Sequence, residues 1–176
     1  RRDYLGEEEV VETIYLGGGT PSQLTHEELE SIFTYIYKVY RVTPDAEITL
    51  EANPDDLTPS YIATLRQLPI NRISMGIQTF HEDTLKLLNR RHTVRQAIEA
   101  FQQCREAGFR NISIDLMYGL PGETQEMWES DLQQAIALHP EHISAYHLIY
   151  EEGTALWELK EKHHVEEAHE ELSLRL

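Results

Sequence analysis

Apolar residues recur along this chain in two alternating periods. Short runs rich in β-branched and aromatic residues fall at about 12–17, 47–52, 72–78, 111–118 and 142–150, and helical periodicity follows each. That alternation predicts βα units in a parallel sheet. Leu29, Ile32, Phe33, Ile36, Tyr37 and Tyr40 form one helical stripe, opened by a capping box of Thr25 and Glu28. Thr58-Pro59 opens a second helix carrying Ile62, Leu65 and Leu68, with proline where its missing N–H costs little. A short helical segment runs from Asp83 to Leu88. Thr93 with Gln96 caps the next helix, which Gly108 ends, and a helix after Thr124 places Trp128, Leu132 and Ile136 on one face.

Parallel strands joined by helices either close as a barrel or lie open and doubly wound, and both put the ligand at the carboxyl ends of the strands. Five strands are too few for an eight-stranded barrel. With 176 residues and no Pro/Ser-rich linker, one domain is expected. From Glu151 onward the chain turns acidic, and Glu166-Glu167-Ala168-His169-Glu170-Glu171 reads as a solvated helix.

Polar residues gather where the strands end. Ile14-Tyr15-Leu16 runs straight into Gly17-Gly18-Gly19-Thr20-Pro21-Ser22, a stretch that reads either as a tight turn or as bare backbone cradling a polar ligand. Glu51 closes Ile48-Thr49-Leu50, Gln78 closes Met75-Gly76-Ile77, and Asp115 interrupts an apolar run. A carboxylate placed in an apolar strand is costly unless a cation or ligand meets it, so a shared rim with the glycine loop favours a site. Arg90 and Arg91 stand on the loop that leaves the third strand unit, where one guanidinium is able to meet a carboxylate in bidentate fashion or both are able to pair with surface acids. Gly119-Leu120-Pro121-Gly122-Glu123-Thr124 reads as a tight βα turn with a capping threonine. His147 is placed near the rim but reads as a structural histidine, and His163 and His164 as solvated.

Composition narrows the function classes. Lysine and arginine number 15 against 31 acids, a net charge of −16 that repels nucleic acid and anionic membrane. No apolar stretch reaches the ~20 residues of a membrane span, and Arg1-Arg2-Asp3-Tyr4 lacks the apolar core of a signal peptide; a cytoplasmic protein is expected. The single Cys104 shares a helical face with Ile98 and Phe101 and reads as a core thiol. Walker, nucleophile-elbow and H-E-x-x-H patterns are absent.

The motifs Gly17–Ser22, Glu51-Ala52-Asn53-Pro54, Ser74-Met75-Gly76-Ile77-Gln78-Thr79-Phe80, Asn89-Arg90-Arg91-His92 and Asp115–Thr124 occur in the order seen in radical S-adenosylmethionine (SAM) proteins. From about Glu12 to Thr154 the chain resembles that family, in the subgroup of oxygen-independent coproporphyrinogen III oxidase and its heme-chaperone relatives. Asn89–His92 and Leu148–Thr154 resemble the chaperone branch. The resemblance implies an α/β fold: a partial (β/α)6 barrel of parallel strands over residues 1–154 with its first βα unit missing, then an acidic helical tail over 155–176 leading toward a C-terminal domain. It implies SAM as cofactor, a reduced 4Fe-4S iron-sulfur cluster that cleaves SAM to a 5'-deoxyadenosyl radical, and heme in the chaperone branch. Carried over residue by residue, it implies that Gly18, Gly19 and Thr20 hold the methionyl end of SAM and Glu51 receives its ammonium. Arg90 would pair with its carboxylate, and Gln78 and Asp115 would take the ribose hydroxyls.

One departure stands out: the C-x-x-x-C-x-x-C motif that holds the family's cluster has no counterpart here, and Cys104 does not replace it. The chain is therefore expected to be part of a longer protein, without cluster ligands and catalytically silent as written. Implied partners are heme or a porphyrinogen, an electron donor such as a flavodoxin or ferredoxin, and an unidentified heme acceptor, through which alone membrane contact is expected. Three readings stay open. The parent protein is a heme chaperone, or an oxidase that turns coproporphyrinogen III into protoporphyrinogen IX by decarboxylation, or the segment is a non-catalytic binding module.

Overall fold

A computed structural model describes residues 9–162 and Val165. Strands β1 (Val11–Leu16), β2 (Val42–Ala52), β3 (Arg72–Gln78), β4 (Asn111–Tyr118) and β5 (His142–His147) pair in parallel, each beside its neighbour in sequence. Right-handed crossovers that always advance in one direction put the helices on a single face and curve the sheet toward a barrel, whereas a doubly wound sheet reverses its order. The strand order thus decides between the two architectures that periodicity left open. Helices α1 (His26–Val39), α2 (Pro59–Leu65), α3 (Glu82–Leu87), α4 (Val94–Glu106) and α5 (Gln125–Ala137) fill the connections, and α6 (Ala155–Glu161) follows β5.

Period-two alternation gives the sheet two unlike faces. Ile48, Leu50, Ile73, Met75, Ile112 and Ile114 meet Leu29, Phe33, Ile62, Leu65, Phe101 and Cys104 from the helices in one buried core. Cys104 is the expected core thiol, and burial pushes its pKa up to about 12. The alternate positions are polar and bond across strands on the open face. Arg72 Nη1 donates to Thr49 Oγ1 at 3.3 Å, Asn111 Nδ2 to Glu47 Oε2 at 3.3 Å, and Ser113 Oγ meets His142 Nδ1 at 2.9 Å.

Both capping boxes form. Glu28 N donates to Thr25 Oγ1 at 3.2 Å while Thr25 N donates to Glu28 Oε2 at 2.8 Å, and Thr93 with Gln96 repeats the pattern on α4. Four details differ from the sequence reading. β2 starts at Val42, five residues early, because Val11 pairs with Val42 before the register jumps to Thr13 opposite Glu47. Pro44, which has no N–H for a ladder, lies in that jump. β5 stops at His147, since its partner β4 ends at Tyr118 and Gly119 turns away at φ 74°. Leu68 falls in a turn beyond α2, its N–H bonded to Leu65 O.

The fourth difference corrects the stripe assigned to α5: Ile136 is 59 % exposed, and the buried residues are Trp128, Asp131 and Ala135. Eight positions at ~100° each leave Ile136 about 80° off the Trp128 face, so the stripe drifts into solvent. The acidic tail is helical over α6; residues 163–164 and 166–176, with His163 and His164, lie outside the described residues. Among the described residues no helix is long and apolar enough to cross a membrane.

These positions predict opposite outcomes for two apolar side chains. Leu50→Ala, at a fully buried site in a central strand, is expected to cost about 2–5 kcal/mol in chemical denaturation. Ile136→Lys is expected to change stability by less than about 0.5 kcal/mol; a larger loss would restore Ile136 to the core.

Candidate functional site

The carboxyl ends of the strands open on a cleft of about 380 Å³. Gly19, Thr20, Glu51, Gln78, Arg90 and Asp115, six of the seven predicted site residues, line it. Gly18, the seventh, stands beside it and donates its N–H to Glu51 Oε2 at 3.2 Å. The topology accounts for this gathering: Gly18, Gly19, Thr20, Glu51 and Gln78 sit at strand ends or on the loop after β1, Asp115 three residues before the end of β4 and Arg90 on the turn after α3, and parallel strands share one rim.

The glycine run makes the tight turn that its sequence allowed, and its bare backbone meets the Glu51 carboxylate. Gly18 and Gly19 adopt φ 76° and 99°, which turns the chain into a short 3-10 segment at Pro21–Gln23. Gly17 is needed for space: a Cβ there would lie 2.7 Å from the Tyr15 ring and 2.8 Å from the Glu51 carboxyl carbon. The loop therefore lets the Glu51 carboxylate lie against the main chain, which a plain turn does not require.

Charged groups in the cleft are held by neutral partners. Tyr15 Oη donates to Glu51 Oε1 at 2.8 Å, and Ser74 Oγ lies 3.1 Å from both oxygens of Asp115. Burial pushes the Asp115 carboxyl above its ordinary range; the Ser74 bond opposes this and the nearby Glu51 adds to it. Arg90 Nη2 donates to Asn53 Oδ1 at 2.8 Å and to Gly76 O at 3.1 Å. Burial is the main influence on Arg90 and lowers its pKa, though a guanidinium stays charged at neutral pH. Tyr146 Oη donates to Gln78 Oε1, and burial, reinforced by Asp115, raises the phenol's pKa.

Three rim loops are tied by one hydrogen-bonded chain. Arg91 Nη2 pairs with Asp55 Oδ2 at 2.9 Å and Asp56 Oδ1 at 3.0 Å, Ser22 Oγ donates to Asp56 Oδ2 at 2.6 Å, and Asn53 N donates to Ser22 Oγ at 3.2 Å. Asn53 in turn accepts from Arg90. The adjacent arginines thus divide: Arg91 pairs with acids outside the cleft, while Arg90 turns inward to neutral oxygens.

Around the fourth strand, Glu123 accepts from Gly119 N at 2.6 Å and Leu120 N at 3.1 Å, fixing the turn that Thr124 then caps onto α5. His147 is structural as read: it meets the Tyr118 ring edge-on at 5.2 Å, and its Nδ1 contacts Leu148 O at 2.7 Å. Sequence reasoning gave no role to Tyr15, Ser22, Asn53, Ser74, Ser144 or Tyr146. For Ser74, Ser144 and Tyr146 the signal was strand alternation, since they share parity with Gly76, Gln78 or each other on the open face.

One cation, two carboxylates and two amides in one cleft suit a zwitterionic ligand that also carries hydroxyls. A metal cluster does not fit the same residues. No group of three or more His, Cys, Asp or Glu among the described residues is arranged to hold a metal, and Cys104 lies in the helix-side core.

A Radical SAM superfamily profile matches residues 2–135. The heme chaperone HemW of Bacillus subtilis is 40% identical over 153 residues, covering 86% of this chain and 40% of that protein. HemW of Escherichia coli is 36% identical over 167 residues, covering 88% and 44%. The oxygen-independent coproporphyrinogen-III oxidase-like protein HemZ of B. subtilis is 36% identical over 169 residues, covering 93% and 33%. The chain spans about 40% of the length of the curated relatives it matches. Among solved structures, the E. coli coproporphyrinogen III oxidase HemN, a radical SAM enzyme, superposes with a TM-score of 0.80 at 26% identity, covering 94% of this chain and 38% of that one. The strand order, the rim cleft and the profile agree, and the chain belongs to the Radical SAM superfamily.

Proposed function

We propose that this segment holds SAM for a protein of heme and porphyrin metabolism, and that the whole protein acts as a heme chaperone. Arg90 carries the reading: a half-buried guanidinium, bonded to neutral oxygens, faces two carboxylates across one cleft. In this superfamily a 4Fe-4S cluster, when bound, supplies the electron that cleaves SAM; its ligands are not among these residues.

Each assigned residue has matching chemistry. Arg90 takes the SAM carboxylate and Glu51 the ammonium, each charge meeting its opposite in a partly dry site. Gly18, Gly19 and Thr20 line the methionyl end. Tyr146 occupies the carbonyl oxygen of Gln78, so the Gln78 amide nitrogen is left to donate while Asp115 accepts. One donor beside one acceptor complements a ribose diol.

Identities of 36–43% to heme chaperones support the chaperone reading. The superposition on HemN favours a second one, decarboxylation of coproporphyrinogen III. The whole protein, reconstituted anaerobically and given SAM, reductant, hemin and coproporphyrinogen III in parallel, separates them. Stoichiometric hemin binding without porphyrinogen turnover is expected; loss of propionate carboxylates would make it the oxidase.

Arg90→Ala and Asp115→Asn are each expected to weaken SAM binding by about 1.5–3 kcal/mol in calorimetry, the size of a hydrogen bond to a charged group. Unchanged affinity would remove that residue from the site. Asp115 also predicts a pH dependence. Its folded pKa is raised, so its stabilising share is complete below the ordinary carboxylate range and is lost as pH rises through the raised value. Asp115→Asn should therefore melt at a higher temperature than the parent at neutral pH and at the same temperature in acid. Equal melting at neutral pH would contradict the burial argument.

A further inference from the structure

Gln78 is held from both sides by residues outside the cleft. It adopts φ 73°, a conformation that a non-glycine residue seldom takes unless its surroundings impose it. The register shows where the imposition begins: Gly76 pairs with Asp115, but Gln78 pairs with Leu116, so β3 carries an extra residue and bulges at Ile77. Such a bulge re-aims the side chain that follows it, here the amide that lines the cleft.

On the far side of the bulge, Asp131 reaches in from α5. Its Oδ2 accepts from Thr79 Oγ1 at 2.7 Å and its Oδ1 from Phe80 N at 2.7 Å, while Thr79 Oγ1 accepts from His81 N at 3.2 Å. Asp131 has no exposed surface, and Thr79 is 1 % exposed. A carboxylate hidden in a helix–sheet core is costly unless it is partnered; the two oxygens of this one satisfy the backbone and hydroxyl that immediately follow Gln78, and His81 Nε2 stands 3.5 Å from Oδ1. Burial raises its pKa, with the Thr79 and Phe80 bonds opposing.

On the near side, His92 Nε2 lies 3.1 Å from Ile77 O. A carbonyl only accepts, so Nε2 carries the proton, and burial lowers the ring's pKa toward this neutral form. His92 stands two residues from Arg90, so the loop that supplies the cation also grips the strand end that supplies the amide.

We propose that Asp131 and His92 are positioning residues that clamp Ile77–Phe80 and thereby hold the Gln78 amide on the ribose of bound SAM. The inference rests on the SAM reading above and adds the devices that orient one of its contacts. Neither residue touches the cleft.

The test is a double-mutant cycle read by calorimetry of SAM on the whole, anaerobically reconstituted protein. Asp131→Ala and His92→Leu are each expected to weaken SAM about three- to tenfold, the size of one neutral hydrogen bond. In a Gln78→Ala background the Asp131→Ala change should add less than about twofold, because its effect passes through Gln78. His92→Gln, which keeps an N–H donor, should bind close to the parent protein. Additive losses, or full affinity without Asp131, overturn the clamp while leaving SAM binding intact. A parent protein that binds no SAM removes the underlying reading instead. Should Asp131→Ala fail to fold, Thr79→Val decides: it leaves the carboxylate and the Phe80 bond in place, and undiminished affinity there overturns the clamp.

Discussion

A parallel sheet that buries one face under its crossover helices must leave the other to be satisfied in some different way, and this protein satisfies it with polar side chains. The apolar parity of β2, β3 and β4 enters the helix-side core, so the opposite parity is free to carry Thr49, Glu51, Ser74, Asp115 and Tyr146. In a closed eight-stranded barrel those positions would interdigitate as packed layers. On the five described strands the residues of this face bond sideways instead, and the cleft lies at its rim. Fold and site are therefore one decision, made by parity.

The site's electrostatics follow from the same arrangement. Glu51, Asp115 and Arg90 line one cleft, yet each is held by a neutral group: a phenol and a backbone N–H for Glu51, a serine hydroxyl for Asp115, an amide and a carbonyl for Arg90. Direct ion pairs between them would be stronger in isolation but would cancel the charges that a zwitterionic ligand needs. Neutral holders keep each charge oriented and uncancelled. The raised pKa of Asp115 is the cost of that choice in the free protein.

What the sequence disclosed was what local rules control. Capping boxes at Thr25 and Thr93 depend on residues three apart and form as read, and the five strands were visible because β-branched runs mark them. Gly18, Gly19, Thr20, Glu51, Gln78, Arg90 and Asp115 were legible because strand-end polarity and motif order pointed the same way. The failures required partners distant in sequence. Asp131 looks like a surface acid on α5 until Thr79, about fifty residues earlier, turns out to be its donor. For Tyr146 strand alternation gave only the face, since the register of β5 against β4 is what brings it over Gln78. The early start of β2 was hidden by Pro44, a residue that argues against a strand everywhere except at an irregularity.

The rim network explains how two consecutive arginines take opposite tasks. Asn89 has φ 53°, so the chain reverses just before Arg90, and Arg90 N closes the reversal by donating to Leu85 O at 2.9 Å. The two side chains then leave the loop in different directions. Arg91 fastens the loop to Asp55 and Asp56 on the turn after β2, and Asp56 is itself fastened to Ser22 after the glycine run. Surface ion pairs of this kind contribute little to stability one at a time, but here each also fixes where a loop lies relative to its neighbours. Removing Arg91's anchor would leave every cleft residue present while taking away one of the ties on the loop that carries Arg90, the others being His92 on Ile77 O and Arg90 N on Leu85 O. The placement of the cation thus rests on two sets of partners: Asn53 and Gly76 in the cleft hold its guanidinium, and Asp55 and Asp56 outside the cleft hold its loop through Arg91.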